Sequence, residues 1–188
     1  MEGKLFIFSA PSGSGKTTIV KRLLKEDIGL EFSVSATNRP KRKNEIDGKD
    51  YNFLSTDDFK KKIAQHKFVE WEEVYENRFY GTLKSELQRI WNKGKHVVFD
   101  VDVIGGLNIK REYPIKALSI FVMSPSIKVL EQRLRNRSTD SNEDIETRVA
   151  KAKKELEYAN HFDLTILNND LEQAVNEAKE AVINFIKQ

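Results

Sequence analysis

Short apolar runs alternate with amphipathic stretches along most of the chain. Leu5 to Ser9 is an apolar run ending in a Gly/Ser/Pro cluster, which predicts a buried strand entering a tight loop. Thr17 to Lys25 then carries Ile19, Val20, Leu23 and Leu24 on one side, the spacing of a helix. Leu83 to Asn92 predicts a further helix, and Val97 to Val101 and Ala117 to Met123 predict buried strands. Ser124-Pro125 suits the N-cap and first position of the next helix. Residues 126–160 predict a pair of helices separated by the polar stretch RNRSTDSNED, the second with a stripe of Ile145, Val149, Ala152, Leu156 and Ala159. Leu164 to Leu167 is a last strand and Leu171 to Ile186 a last amphipathic helix. Such alternation predicts an α/β fold, a mostly parallel sheet with helices on both faces and ligands at the carboxyl ends of its strands.

The pattern changes between Phe32 and Thr82. Short β-rich pieces (FSVSAT, YNF, FVEWEEV) surround one amphipathic segment that opens with the capping pair Ser55 and Asp58 and continues through Phe59 and Ile63. This predicts a small mixed insert in the α/β frame. No repeat, low-complexity tract or Pro/Gly-rich linker interrupts the chain.

Composition narrows the classes. A chain of 188 residues with 39% hydrophobic and 32% charged residues suits one globular core with small inserts. Its 32 basic and 29 acidic residues leave a net charge of +3, too little basic excess for a protein that coats nucleic acid. With no cysteine there is no disulfide or thiolate metal site, and His66, His96 and His161 lack metal-ligand spacing. The apolar run near the N-terminus is too short for a signal-peptide core or a membrane span, so a cytoplasmic location is the default expectation.

Chemistry enters at Ala10 to Thr17, APSGSGKT, which matches the phosphate-loop template G-x-x-x-x-G-K-[ST] except that Ala10 replaces the first glycine. Gly13 and Gly15 let successive backbone N–H groups converge on phosphate oxygens, aided by the N-terminus of the following helix. Lys16 brings positive charge to the β/γ oxygens, and the Thr17 hydroxyl can ligate Mg²⁺. Pro11, Ser12, Ser14 and Thr18 complete the expected ATP cradle. Ala10 raises the question of whether its position demands a backbone conformation that only glycine adopts easily.

In the insert, Arg39 and Arg42, flanked by Lys41 and Lys43, form the densest basic cluster in the chain. Alone it reads as a solvated surface; beside a phosphate loop it gains weight as the second anion site a phosphoryl acceptor requires. Tyr51 and Tyr80 can add hydroxyl donors. Alternation puts Glu70 on the same side of a strand as Phe68, where a carboxylate needs a partner. Guanine offers one through its adjacent N1–H and N2 amino donors; a strand-end glutamate facing water is the competing reading. Asp100 and Asp102, in VVFDVD, lie at the end of an apolar strand and point the same way, Asp100 as a magnesium-holding acid and Asp102 as a possible acceptor for the nucleobase.

Together APSGSGKT, SATNRPKRKNEIDGKDYNF, FVEWEEVYENRFYGT, DVDVIGG, RLRNRSTDSNEDIETR and LNNDLEQA resemble the guanylate kinase family almost from end to end. The resemblance implies a P-loop kinase that moves a phosphoryl group from ATP·Mg²⁺ to GMP, with dGMP as a further acceptor. It implies that Ser35, Arg39, Arg42, Tyr51 and Tyr80 hold the GMP phosphate, and that Glu70 and Thr82, with Asp102 nearby, hold guanine. Asp100 then serves nucleotide and metal, together with Thr17. It also implies a lid whose Arg133 and Arg137, with Arg148 on the next helix, reach over ATP, and an adenine-side contact from Asn168. The catalytic set expected is Lys16, Arg39, Arg42, Arg133, Arg137 and Arg148. The division expected is core 1–33, GMP-binding insert 34–83, core 84–125, lid 126–147 and core 148–188. Here Lys41, Asn44, Asn38 and Ala36 depart from common family residues without removing a charge the mechanism needs. Partners implied are ATP and GMP, with no nucleic acid or membrane, in a monomer or small homo-oligomer. Rival readings are a kinase for another nucleotide or phosphorylated sugar, which Glu70 discriminates, and a non-catalytic protein-binding relative, which would have lost residues such as Lys16 or Arg133.

Overall fold

The structure is a computed structural model that describes residues 3–136 and 142–188. In chain order the elements are β1 (Leu5–Ser9), α1 (Lys16–Leu23), β2 (Leu30–Phe32), β3 (Ala36–Thr37), β4 (Asn52–Phe53), α2 (Thr56–Ala64), β5 (Phe68–Tyr75) and β6 (Arg78–Leu83). They continue with α3 (Lys84–Trp91), β7 (His96–Asp100), α4 (Val103–Glu112), β8 (Ala117–Met123), α5 (Ile127–Arg135), α6 (Asn142–Leu156), β9 (Leu164–Leu167) and α7 (Leu171–Ile186).

Five strands form one sheet in the order β2-β7-β1-β8-β9, every pair parallel. The two-residue period of a strand sorts β1 between its faces. Phe6 and Phe8 pack with Ile19, Val20 and Leu23 of α1 and with Ala178 and Val182 of α7. Leu5 and Ile7 pack with Leu87 and Ile90 of α3 and Ile109 of α4. Fully burying each such side chain contributes about 1.5–3 kcal/mol, which is why both faces stay covered. As expected of an α/β sheet, the carboxyl ends of β1 and β7 meet, Phe8 registering with Asp100.

The insert is a second sheet, ordered β4-β3-β6-β5, with a core of its own: Ala36, Phe59, Phe68 and Phe79. Phe59 of α2 stacks on Phe68 at 4.4 Å and on Phe79 at 5.5 Å. The capping prediction holds at α2, where Ser55 Oγ accepts the Asp58 N–H at 3.0 Å.

Three expectations are corrected. Phe68 and Glu70 do not share a strand face: a bulge between them pairs Phe68 with Leu83 and Glu70 with Thr82, so Phe68 packs in the insert core while Glu70 faces the other way. The helix after β8 is capped by Ser126, whose Oγ accepts from the Val129 N–H, and not by Ser124, which is buried. And β7 ends at Asp100, so Asp102 is not a strand residue: it caps α4, its Oδ1 accepting from the Gly105 N–H at 2.7 Å. The adjacent glycines Gly105 and Gly106 disguise that helix in the sequence. Gly106 is needed for packing, since a Cβ there would lie 2.4 Å from Ser9 Oγ. In the region expected as a lid, α5 and α6 share a small cluster of Leu130, Leu134, Ile145 and Ala152. Among the described residues no helix is long and apolar enough to cross a membrane.

Candidate active site

The glycine loop joins β1 to α1. Gly13 (φ 94°) and Gly15 (φ 92°) take left-handed conformations that side chains disfavour, and Gly15 is the N-cap of α1. At Gly15 a Cβ would also fall 2.2 Å from the Asn168 side-chain nitrogen. Ala10 is different: among the described residues the non-glycines with positive φ are His66 and Asn77, so Ala10 needs no glycine conformation and is buried in the core beside β1.

Around this loop the structure gathers charged groups from distant segments. Lys16 Nζ lies 2.6 Å from Asp100 Oδ1 and donates to the Val101 carbonyl at 2.7 Å. The Thr17 hydroxyl donates to Asp100 Oδ2 at 2.9 Å. Arg148 of α6 donates to Ser12 Oγ at 3.1 Å. Asn168 is buried and gives its amide to the Ser14 carbonyl at 2.7 Å, and Arg133 donates to the Asn168 carbonyl at 3.0 Å. Arg133 and Asn168 thus brace the loop from behind and also line a groove with Gly13, Gly15 and Thr18. Arg137 lies outside the described residues. The loop, Asp100, Asp102, Arg148, Lys151 and Glu155 enclose a cavity of about 550 Å³.

A second cavity, of about 300 Å³, is lined by Ser35, Tyr51, Glu70, Glu72 and Tyr80 from the insert, and by Asp100, Val101, Asp102 and Lys151 from the core side. Strand register builds its insert wall. Glu70 pairs with Thr82 and Glu72 with Tyr80 across β5 and β6, which puts these side chains on one face. The Thr82 hydroxyl donates to Glu70 Oε1 at 2.9 Å. The rings of Tyr51 and Tyr80 meet edge to face at 6.0 Å, and the Arg39 guanidinium lies 4.9 Å from the Tyr51 ring centre. Arg39 makes a two-pronged bond to Glu45 at 2.6 and 2.5 Å, and Glu45 also accepts the Arg42 backbone N–H at 2.8 Å. Arg42 itself is exposed.

Acidity is uneven here. Burial pushes the Glu70 carboxyl up to about 7, the charge of Asp102 adding to the effect and the Thr82 hydroxyl opposing it. Glu72 is held above the usual carboxylate range, first by its hydrogen bond to the Asp102 carboxyl and then by burial. Conversely, the Arg39 fork draws Glu45 down to about 2.

The sequence reading did not single out Glu45, Glu72, Lys151 or Glu155. Glu72 was discoverable, since it stands two residues from Glu70 on the same strand face. So was Lys151, one helical turn from Arg148. Nothing local marks Glu45 as the partner of Arg39.

For a magnesium ion the donors fit. Thr17 and Asp100 offer hard oxygens at one point beside the glycine loop, and Mg²⁺ is commonly bound by one or two protein oxygens with phosphate oxygens and water completing its octahedron.

Comparison with known proteins agrees with this geometry. A family model described as guanylate kinase matches residues 2–184. A guanylate kinase of Bacteroides fragilis is 51% identical over 185 residues, covering 98% of this chain and 91% of the relative. One of Porphyromonas gingivalis is 50% identical over 184 residues, covering 97% and 98%. The crystal structure of guanylate kinase from Anaplasma phagocytophilum superimposes with a TM-score of 0.77 at 26% identity, covering 99% of this chain and 87% of that one. On a match that runs nearly end to end, in sequence and in fold, the chain belongs to the guanylate kinase family.

Proposed function

We propose that the chain transfers the γ-phosphoryl group of ATP to GMP, giving ADP and GDP. The observation that carries this reading is the wall the two cavities share. Asp100, Val101, Asp102 and Lys151 line both, which supports one anion at the glycine loop and another beside Ser35, Tyr51 and Tyr80, on either side of one short partition.

In this reading an oxygen of the GMP phosphate attacks the γ-phosphorus in line. A new P–O bond forms, the bond to the β,γ-bridging oxygen breaks, and ADP leaves. The attacking oxygen is already anionic, so no strong general base is required, and the work is positioning and charge compensation. Lys16 shifts from Asp100 toward the transferring phosphoryl group, while the loop N–H groups hold the β-phosphate. Arg39, Arg42, Tyr51, Tyr80 and Ser35 bind the acceptor phosphate, and Glu70 with Thr82 reads the Watson–Crick edge of guanine. Arg133 and Arg148, with Arg137, compensate charge on the donor side. Thr17 and Asp100 would hold Mg²⁺, which supplies Lewis-acid charge neutralisation to the phosphate oxygens. Residues 34–83 act as an acceptor-binding unit that closes on the core and excludes water.

The test is ADP release from ATP with GMP, AMP, UMP and dTMP compared side by side. GMP should exceed each of the others in kcat/KM by about a hundredfold or more, since a buried polar reader is left unpaired by the wrong base. Equal rates with AMP would overturn the base assignment.

A further inference from the structure

The chain passes between core and insert twice, and one buried carboxylate stands at the crossing. Outbound, β2 ends at Phe32 and residues 33–35 lead into β3. The return is direct, β6 ending at Leu83 and α3 beginning at Lys84. Glu86, in the first turn of α3, is only 8% exposed, although a carboxylate in such a place is costly unless fully bonded. It is fully bonded. Its Oε2 accepts the Val34 backbone N–H at 3.0 Å, and both its oxygens accept from Arg89 at 2.9 Å. Arg89 in turn pairs with Glu31 of β2 and reaches the Phe32 carbonyl at 3.4 Å. Burial alone would raise the Glu31 carboxyl, but hydrogen bonds from Lys93, Arg89 and Lys95 pull it down to about 2.

Val34 is the residue at which the core hands the chain over. Before it, the Ser33 N–H is bonded to Val98 of the core sheet at 2.9 Å. At Val34 the N–H belongs to Glu86, whereas the carbonyl accepts from the Asn52 side chain of the insert at 3.0 Å. After it, the Ser35 carbonyl accepts the Asn52 N–H at 2.9 Å, inside the insert. Ser35 itself lines the acceptor cavity.

We infer that Glu86, through its bond to the Val34 N–H, is a positioning residue for the acceptor site: it fixes the root about which the insert turns and so sets where Ser35 and β3 stand relative to the glycine loop. This rests on the GMP kinase reading above and deepens it. Glu86 touches neither nucleotide cavity, so its effect must fall on the acceptor and spare the donor. Arg89 keeps the carboxylate aimed, and Glu31 keeps Arg89 in place.

The test compares Glu86→Gln and Glu86→Ala in the full-length chain. Gln keeps an acceptor oxygen for the Val34 N–H; Ala removes it. Glu86→Ala should raise KM for GMP about tenfold while KM for ATP stays within about twofold, and Glu86→Gln should recover most of the loss. Amide exchange at Val34 gives a second readout that needs no turnover: it should be about tenfold or more faster in the Ala variant and close to the parent's in the Gln variant. The inference is overturned if KM for both nucleotides moves together, or if thermal stability falls with neither KM nor Val34 exchange changed. Should Glu86→Ala not fold, Glu86→Gln carries the test alone: parent-like Val34 exchange and KM support it, and a full loss of Val34 protection overturns it. A parent enzyme inactive on GMP would defeat the kinase reading, while Val34 exchange would still decide whether Glu86 holds the root.

Discussion

The two regions proposed to hold phosphate are built by opposite means. The glycine loop is a contiguous run whose donors are mostly backbone N–H groups, set by Gly13 and Gly15 and clamped between the parallel sheet and α1. The proposed acceptor region assembles Glu70, Tyr80 and Thr82 from β5 and β6 with Ser35, Arg39 and Tyr51 from the segments flanking β3 and β4, using side chains on a small sheet with its own core. One site is local in sequence. The other exists only through strand register, so it is open to tuning by the residues that support it. Substitutions in the loop should therefore strike turnover itself, and those in the insert should strike acceptor affinity and choice.

Lys16→Ala provides the largest break in this contrast. It should lower kcat by about a thousandfold or more, because a preorganised charge at the transferring group is lost, while circular dichroism shows the fold intact. A kcat within tenfold of the parent would remove Lys16 from the machinery.

Glu70→Gln comes next. Its kcat/KM for GMP should drop by about a hundredfold, with KM for ATP unaltered. Stability should move the other way. A carboxyl whose folded pKa is raised to about 7 from 4.5 binds its proton more tightly when folded, so the parent loses stability as pH rises from about 4.5 through 7. At about 1.4 kcal/mol per pKa unit, Glu70→Gln should regain up to about 3 kcal/mol at pH 8 and little at pH 4, read by denaturant unfolding. The same titration predicts that KM for GMP in the parent falls as pH rises through about 7, because only the carboxylate can accept both guanine N–H groups. A flat profile would contradict the assignment.

Glu45→Gln should act more mildly. Losing the charge that aims Arg39 should raise KM for GMP about tenfold without changing KM for ATP. If KM for GMP fell instead, Glu45 would be a competitor for Arg39 and not its guide. Ala10→Gly should do least. Ala10 is buried and has no positive φ, so glycine there adds unfolded-state freedom worth about 0.5–1 kcal/mol and leaves kcat within about twofold.

The same contrast explains what could be read from the sequence. The strand, loop and helix around APSGSGKT are adjacent in the chain, so periodicity and two glycines sufficed. The capping pair at Ser55 was also legible from local pattern. What stayed hidden depends on long-range contacts: Asp102 as a helix cap, Glu45 on Arg39, Glu72 against Asp102, and Glu86 on Val34 across 52 positions. Ser124-Pro125 misled because the local cap preference of Ser124 gave way to burial, leaving Ser126 to begin α5. Guanine recognition at Glu70 was argued from chemistry, but the face on which it stands needed the β5–β6 register.

In the proposed reaction, donor and acceptor phosphates share one partition. Calorimetric titration with adenosine and guanosine joined through five phosphates tests it directly, since such a molecule must fill both cavities at once. It should bind at least about a hundredfold more tightly than either ATP or GMP and be displaced by each. Affinity no better than that of ATP, with displacement by only one of the two nucleotides, would contradict it.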